Sequence, residues 1–259
     1  MKRLFISWLA FLLLSSAQAQ FKINSKVIDA TKKATKAVAF SDADAAAYAK
    51  EAVLWMDANN PVADPNDSYT KRLNKLFANH LNEDGLTLNF KVYKVVDINA
   101  FACADGSVRV FSALMDMMTD DELLAIIGHE IGHVKNHDTK DAVKAAYMRA
   151  AGKDILVSQS GVAATLTDSQ LGQLAEGLMN SSHSRKQESE ADNYSYEFMK
   201  KHGYNVMGAH SAFMKLANLS KGNPEPSKWQ KMMSSHPDSK ARAEQIEQKA
   251  KKDGLWKVQ

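Results

Sequence analysis

The sequence predicts an α+β fold, mainly helical with a small β-sheet, and two observations carry this. Leu86–Val95 alternates apolar and polar residues with period two, and Asn99–Ala102 and Ser107–Phe111 follow as shorter extended pieces around Ala104-Asp105-Gly106. From Ser112 onward the pattern turns almost wholly helical, with segments expected at 112–118, 119–137, 139–152, 167–182, 185–202, 206–220 and 237–252. The sequence contains no internal repeat.

The chain has 259 residues. Its start reads as a secretory signal: Lys2 and Arg3, the apolar run Leu4–Leu14, then Ala17-Gln18-Ala19 as a small-x-small cleavage site. The run is short for a bilayer span, and no later segment reaches about 18 continuous apolar residues. The expected organisation is a signal peptide over 1–19, a polar N-terminal arm over 20–40, and a single domain over 41–259. The expected location is the periplasm, after secretion across the inner membrane. Gln20 stands where a lipoprotein signal would need cysteine, and the lone Cys103 excludes an intramolecular disulfide. It is read as a small buried residue.

The formal charge of +3 includes Lys2 and Arg3 of the signal, so it suggests neither nucleic acid nor an anionic membrane surface as partner. The lysine clusters at 32, 33 and 36 and at 249, 251 and 252 read as solvated faces. Asp42–Asp57 is alanine-rich and favours helix until Asn59, Asn60, Pro61 and Pro65 break it. A second helix is expected over Ser68–Leu81, and Asn82–Gly85 reads as a turn. Val157–Asp168, rich in Ser, Thr and Gly, reads as a mobile connection.

The chemistry concentrates in Thr119–His137. Thr119 and Glu122 have the form of a capping box, and Leu123, Ile127, Ile131 and Val134 make a helical apolar stripe. His129-Glu130-Ile131-Gly132-His133 is an H-E-x-x-H pattern. On a helix it sets both imidazoles on one face, where two nitrogens can bind one Zn²⁺ while Glu130 reaches a zinc-bound water. Gly132 lets a substrate or a packing helix come close.

A catalytic zinc normally takes a third protein ligand, and three candidates stand out. His137 continues the i, i+4 series, but three such ligands on a straight helix cannot converge on one ion. It reads as a helix C-terminal residue meeting the dipole. His183 lies in a loop-like segment without an orienting partner. Glu188 and Asp192 share one face of a helix, so Glu188 can bind zinc while Asp192 accepts the second N–H of a ligand histidine.

HEIGH, SRKQESEAD and HPDSKAR, in that order across roughly residues 66–250, resemble the gluzincin metallopeptidases that include the CAAX prenyl protease and the heat-shock protease HtpX. The nearest plan is that of a soluble periplasmic LoiP/BepA-like peptidase domain. The resemblance implies a zincin-type fold whose sheet has an edge strand bordering the active site, and one Zn²⁺ per subunit. It implies His129, His133 and Glu188 as ligands, Glu130 as general base, and Asp192 and Arg242 behind them. It also implies that His236 approaches the metal and stabilises the oxyanion, and that Asn99, Ala100 and Phe101 pair with an extended substrate, with Asn99 near the cleaved bond. The family's transmembrane helices and tetratricopeptide extension are absent. His137 is one residue earlier than the histidine often found after the family's HExxH.

The activity so implied is zinc-dependent endoproteolysis of unfolded or damaged envelope proteins, with polypeptide substrates bound as extended strands. Peripheral association with the membrane or with outer-membrane assembly proteins is compatible with it. Two other classes compete: a non-catalytic zinc or protein-binding, chaperone-like module, and a hydrolase of a non-peptide amide.

Overall fold

The computed structural model describes residues 40–150, 166–219 and 232–257. The signal peptide, all but the last residue of the arm, and most of Val157–Asp168 lie outside the described residues. Among those described, the residues from Asp42 onward belong to one unit.

Helix α1 (Asp42–Asn59) is built on its alanine run and ends before Pro61. The Asn59 and Asn60 side-chain amides donate to Trp55 O and Met56 O, satisfying carbonyls that a helix end leaves open. Helix α2 (Ser68–Phe77) starts on Asp67, whose carboxylate accepts from Tyr69 N. It tightens into a 3₁₀ turn at Ala78–His80, so the expected α-helix to Leu81 ends early.

The single strand expected over Leu86–Val95 is split. Leu88 donates its N–H to Leu81 O, and the chain on either side takes different partners. β1 (Asn82–Glu83) and β2 (Leu86–Thr87) form a hairpin across Asp84 and Gly85, both at positive φ. β3 (Asn89–Tyr93), β4 (Ala100–Ala102) and β5 (Ser107–Phe111) form a sheet of order β3-β5-β4. β5 runs parallel to β3 and antiparallel to β4, so β4 is an edge strand. The turn from β4 to β5 needs Gly106: at φ 84° a Cβ there would stand 2.0 Å from Thr87 O.

Every residue of β5 is buried. Val108 and Val110 join the apolar core, while Arg109 is sent to the opposite face. There its guanidinium takes both oxygens of Asp57 on α1, at 2.8 and 2.9 Å.

The remaining helices are α3 (Ser112–Met117), α4 (Asp120–Lys135), α5 (Asp138–Ala150), α6 (Asp168–Met179), α7 (Arg185–Lys201), α8 (Met207–Leu219) and α9 (Ser239–Lys252). A helical turn at 232–235 precedes α9. α4 packs against α7 and α8 and meets β4 and β5 of the sheet. The stripe Leu123, Ile127 and Ile131 is fully buried, each side chain stabilising the fold by about 1.5–3 kcal/mol relative to exposure. Burial goes beyond a stripe, however: all residues from Glu122 to Val134 are buried. The expected helix over 119–137 stops at Lys135, because His137 turns left-handed at φ 63°.

Candidate metal centre and active site

α4 is anchored by the capping box expected from its sequence: Thr119 Oγ1 accepts from Glu122 N, and Glu122 Oε2 accepts from Thr119 N at 2.7 Å. Lys215 of α8 holds the same Oε2 at 2.6 Å. One turn apart on this helix, His129 and His133 bring their Nε2 atoms to 3.0 Å. From α7, Glu188 places Oε1 3.4 Å from His133 Nε2 and Oε2 3.6 Å from His129 Nε2. His236, before α9, sets Nδ1 3.2 Å from His129 Nε2 and 3.1 Å from Glu188 Oε1.

A tetrahedral zinc with bonds of about 2.0–2.1 Å separates its ligands by about 3.3 Å. Four buried donors at this spacing, three imidazole nitrogens and one carboxylate, therefore fit one zinc ion. The only buried side-chain polar atom without a hydrogen bond among the described residues is Glu130 Oε1, which faces this cluster 3.4 Å from His236 Nε2. Such an orphan fits a group that works on a water or substrate beside the metal.

Closeness of α4 and α7 makes the arrangement reachable. A Cβ on Gly132 would stand 3.1 Å from Ala191 Cα, Ala191 O and Tyr194 Cβ. What Gly132 admits is thus the packing helix, not the substrate.

Behind the donors lies a layer of charge. Asp192 Oδ1 is 2.9 Å from His129 Nδ1. Arg242 Nη1 is 2.7 Å from Glu188 Oε2, and its Nη2 and Nε reach Asp192 at 2.6 and 2.8 Å. The guanidinium also lies over the Phe213 ring, 4.1 Å from its centroid.

Sequence reasoning missed two residues. Asp138 Oδ2 bonds His133 Nδ1 at 2.9 Å, and His183 stacks on the His133 ring with centroids 3.8 Å apart. His183 had been weighed only as a ligand. A signal for Asp138 was its place just past the helix end, where a reversal can return it to the second histidine. His137, expected at the helix dipole, is exposed, with Nδ1 3.8 Å from Asp42 Oδ2.

Burial, with the nearby Arg242 charge, drives the His129 pKa well below the ordinary value, keeping its nitrogen free for a metal. Burial also lowers His133, but hydrogen bonds to Asp138 and Glu188 outweigh it and raise the group to about 9. A metal entering there must displace a proton. For Glu188 the burial penalty is outweighed by hydrogen bonds from His133 and His236, and its carboxyl stays below the usual range. Glu130 is raised, chiefly by burial. His183 falls to about 3 through burial and the adjoining histidines.

A cleft opens on Glu130, His133 and His236. Asn99, Ala100 and Phe101 line it, with Val143 of α5 and Leu178 of α6 also at its wall. Asn99 O accepts from Phe111 N and Cys103 N donates to Ser107 O. By antiparallel alternation, Ala100 and Ala102 turn their N–H and C=O groups away from β5, to the free edge. The Asn99 carboxamide closes on Ala100 N at 3.0 Å. Cys103, buried at the end of β4, is also on the cleft wall.

The sequence model of Peptidase family M48 matches residues 68–250. Metalloprotease YcaL of Escherichia coli (strain K12) is 42% identical over 238 residues, covering 90% of this chain and 91% of YcaL. Metalloprotease LoiP of the same organism is 40% identical over 225 residues, covering 86% of this chain and 87% of LoiP. The mitochondrial metalloendopeptidase OMA1 of Bos taurus is 32% identical over 161 residues, 58% of this chain and 30% of OMA1.

Proposed function

The chain belongs to Peptidase family M48 and is a zinc metalloendopeptidase; on that premise we propose that it cleaves unfolded or damaged envelope proteins in the periplasm, bound as extended strands along β4. The observation that carries this reading is the bare Glu130 Oε1, held between the metal donors and the β4 edge of the sheet.

His129, His133 and Glu188 would hold the zinc, and His236 stands beside them with Nδ1 3.2 Å from His129 Nε2. Zinc, when bound, supplies a Lewis acid that makes water acidic near neutral pH and polarises a carbonyl. Glu130 takes the proton of the attacking water at Oε1 and returns it to the departing amine. Its burial-raised pKa suits a group that must hold that proton between the two steps. His236 Nε2 lies beside Glu130 and can donate to the carbonyl oxygen as charge develops there. Ala102 and, once the Asn99 carboxamide swings off its N–H, Ala100 pair with the substrate backbone, a mode that reads main chain more than side chain and so suits unfolded polypeptides.

Location is supported by the Lys2–Ala19 signal; among the described residues no helix is long and apolar enough to cross a membrane. The test compares cleavage of an unfolded protein by the mature chain and by Glu130→Gln, with zinc content measured in both. Loss of cleavage with zinc retained supports Glu130 as the base. Equal cleavage by the two proteins would remove it from the chemistry.

A further inference from the structure

A second set of metal-type donors lies past the far end of α7, about 20 Å along that helix from Glu188. His80 closes the 3₁₀ turn after α2, Glu83 lies in β1, and His202 caps α7. Each offers one donor atom, and the three atoms lie within 4.8 Å of one another. His80 Nδ1 is 3.0 Å from Glu83 Oε2, and His202 Nε2 is 3.1 Å from the same carboxylate. The two rings meet edge to face, with centroids 4.5 Å apart. His80 and Glu83 are buried, while a quarter of the His202 side chain is open to solvent.

We propose that His80, Glu83 and His202 form a second, structural zinc site that ties the β1–β2 hairpin to the C-terminal end of α7. Two imidazoles and a carboxylate are a donor set that zinc takes readily. The two histidine spacings to Glu83, 3.0 and 3.1 Å, fall a few tenths of an ångström short of the roughly 3.3 Å between ligands of tetrahedral zinc, a shift that side-chain rotation supplies.

The groups behind the donors strengthen the assignment. Ligand histidines in metal sites usually hydrogen-bond through their other nitrogen, and ligand carboxylates are themselves hydrogen-bonded. The first is met at His80 and the second at Glu83. Tyr204 OH lies 2.7 Å from His80 Nε2, fixing the ring with Nδ1 towards Glu83. Lys201 Nζ takes Glu83 Oε1 at 2.6 Å and shares its charge with Asp84 Oδ1 at 2.9 Å, leaving Oε2 directed at His80. Lys201 alone would neutralise Glu83. Two further imidazoles converging on the same carboxylate, one oriented by a tyrosine, exceed what an ion pair needs. The exposed side of His202 supplies the entry path. This site is separate from the hydrolytic centre, and its role is to hold the hairpin.

The test is zinc stoichiometry on the purified full chain, loaded with zinc and dialysed into zinc-free buffer, with thermal unfolding followed in parallel. Two equivalents are expected. Glu188→Ala should keep one, and His202→Gln should keep one with cleavage unchanged. Tyr204→Phe, which retains every ligand, should weaken the second equivalent by about 10–100-fold, and it reads the site even where His202→Gln folds poorly. One equivalent in the parent chain, falling to none in Glu188→Ala, would overturn the proposal and leave a hydrogen-bonded latch. So would two equivalents retained by His202→Gln.

Discussion

Each imidazole of the α4 pair is aimed by a carboxylate behind it, Asp192 for His129 and Asp138 for His133. A carboxylate there fixes the tautomer and leaves Nε2 as the free donor. Asp138→Asn keeps the shape but can present an amide N–H to the ring in place of an acceptor. The expected outcome is zinc affinity lowered by about 10–100-fold with the fold retained, measured by competition with a chelator. Unchanged affinity would assign the aiming of His133 to the His183 stack instead. The two acids differ in how legible they were. Asp192 could be read because it stands four residues from Glu188 on one helix, a spacing that periodicity reveals. Asp138 is reached only through the left-handed turn at His137, and a non-glycine residue at positive φ leaves no mark in a hydrophobic pattern. Arg242 was legible from its motif alone. Its ion pairs with both Glu188 and Asp192 arise where α9 meets the site, a contact of high sequence separation.

Between elements, the decisive spacing is that of α4 and α7, since one carries the histidines and the other Glu188. Gly132→Ala pushes a methyl onto Ala191 backbone atoms, which cannot move without moving α7. Overpacking of this kind costs about 1–3 kcal/mol. The expected result is a lower Tm together with weaker zinc binding. Gly128→Ala is the control: its nearest neighbour is the edge of the Phe198 ring at 3.1 Å, a side chain that can shift, so both losses should be smaller. Equal effects at the two glycines would mean that helix spacing does not set the metal geometry. Most elements were legible because their periodicities are strong and their caps explicit. The split at Leu88 was not, because alternation marks an extended chain without saying which strand it pairs with. The full burial of α4 was likewise hidden, since Gly128, His129, Glu130 and Gly132 interrupt its apolar run and imitate a solvent face.

For the molecule as a whole, the sheet that supplies the cleft edge is fastened to α1 through Asp57, which pairs with the buried Arg109 and with Lys91. Asp57 receives Arg109 through two nitrogens, Lys91 Nζ at 2.8 Å and Tyr93 OH at 2.7 Å. Burial pushes the Asp57 carboxyl up, but the hydrogen bonds from Arg109, Lys91 and Tyr93 outweigh it and hold the pKa below the ordinary 3.8. A depressed carboxylate stabilises the folded state fully above its unfolded value and loses that contribution as pH falls through the folded value. Arg109 stays charged throughout, so protonating Asp57 leaves a buried cation without its counter-charge. Asp57→Asn makes the same change at every pH, at a cost on the order of 3 kcal/mol near neutrality. The Tm gap between the parent chain and Asp57→Asn should therefore be constant above pH 3.8 and narrow steadily below it. The other acids titrate in both proteins, so the difference isolates this pair. A gap that persists undiminished well below pH 3.8 would mean that the variant's loss comes from altered packing and not from the charge.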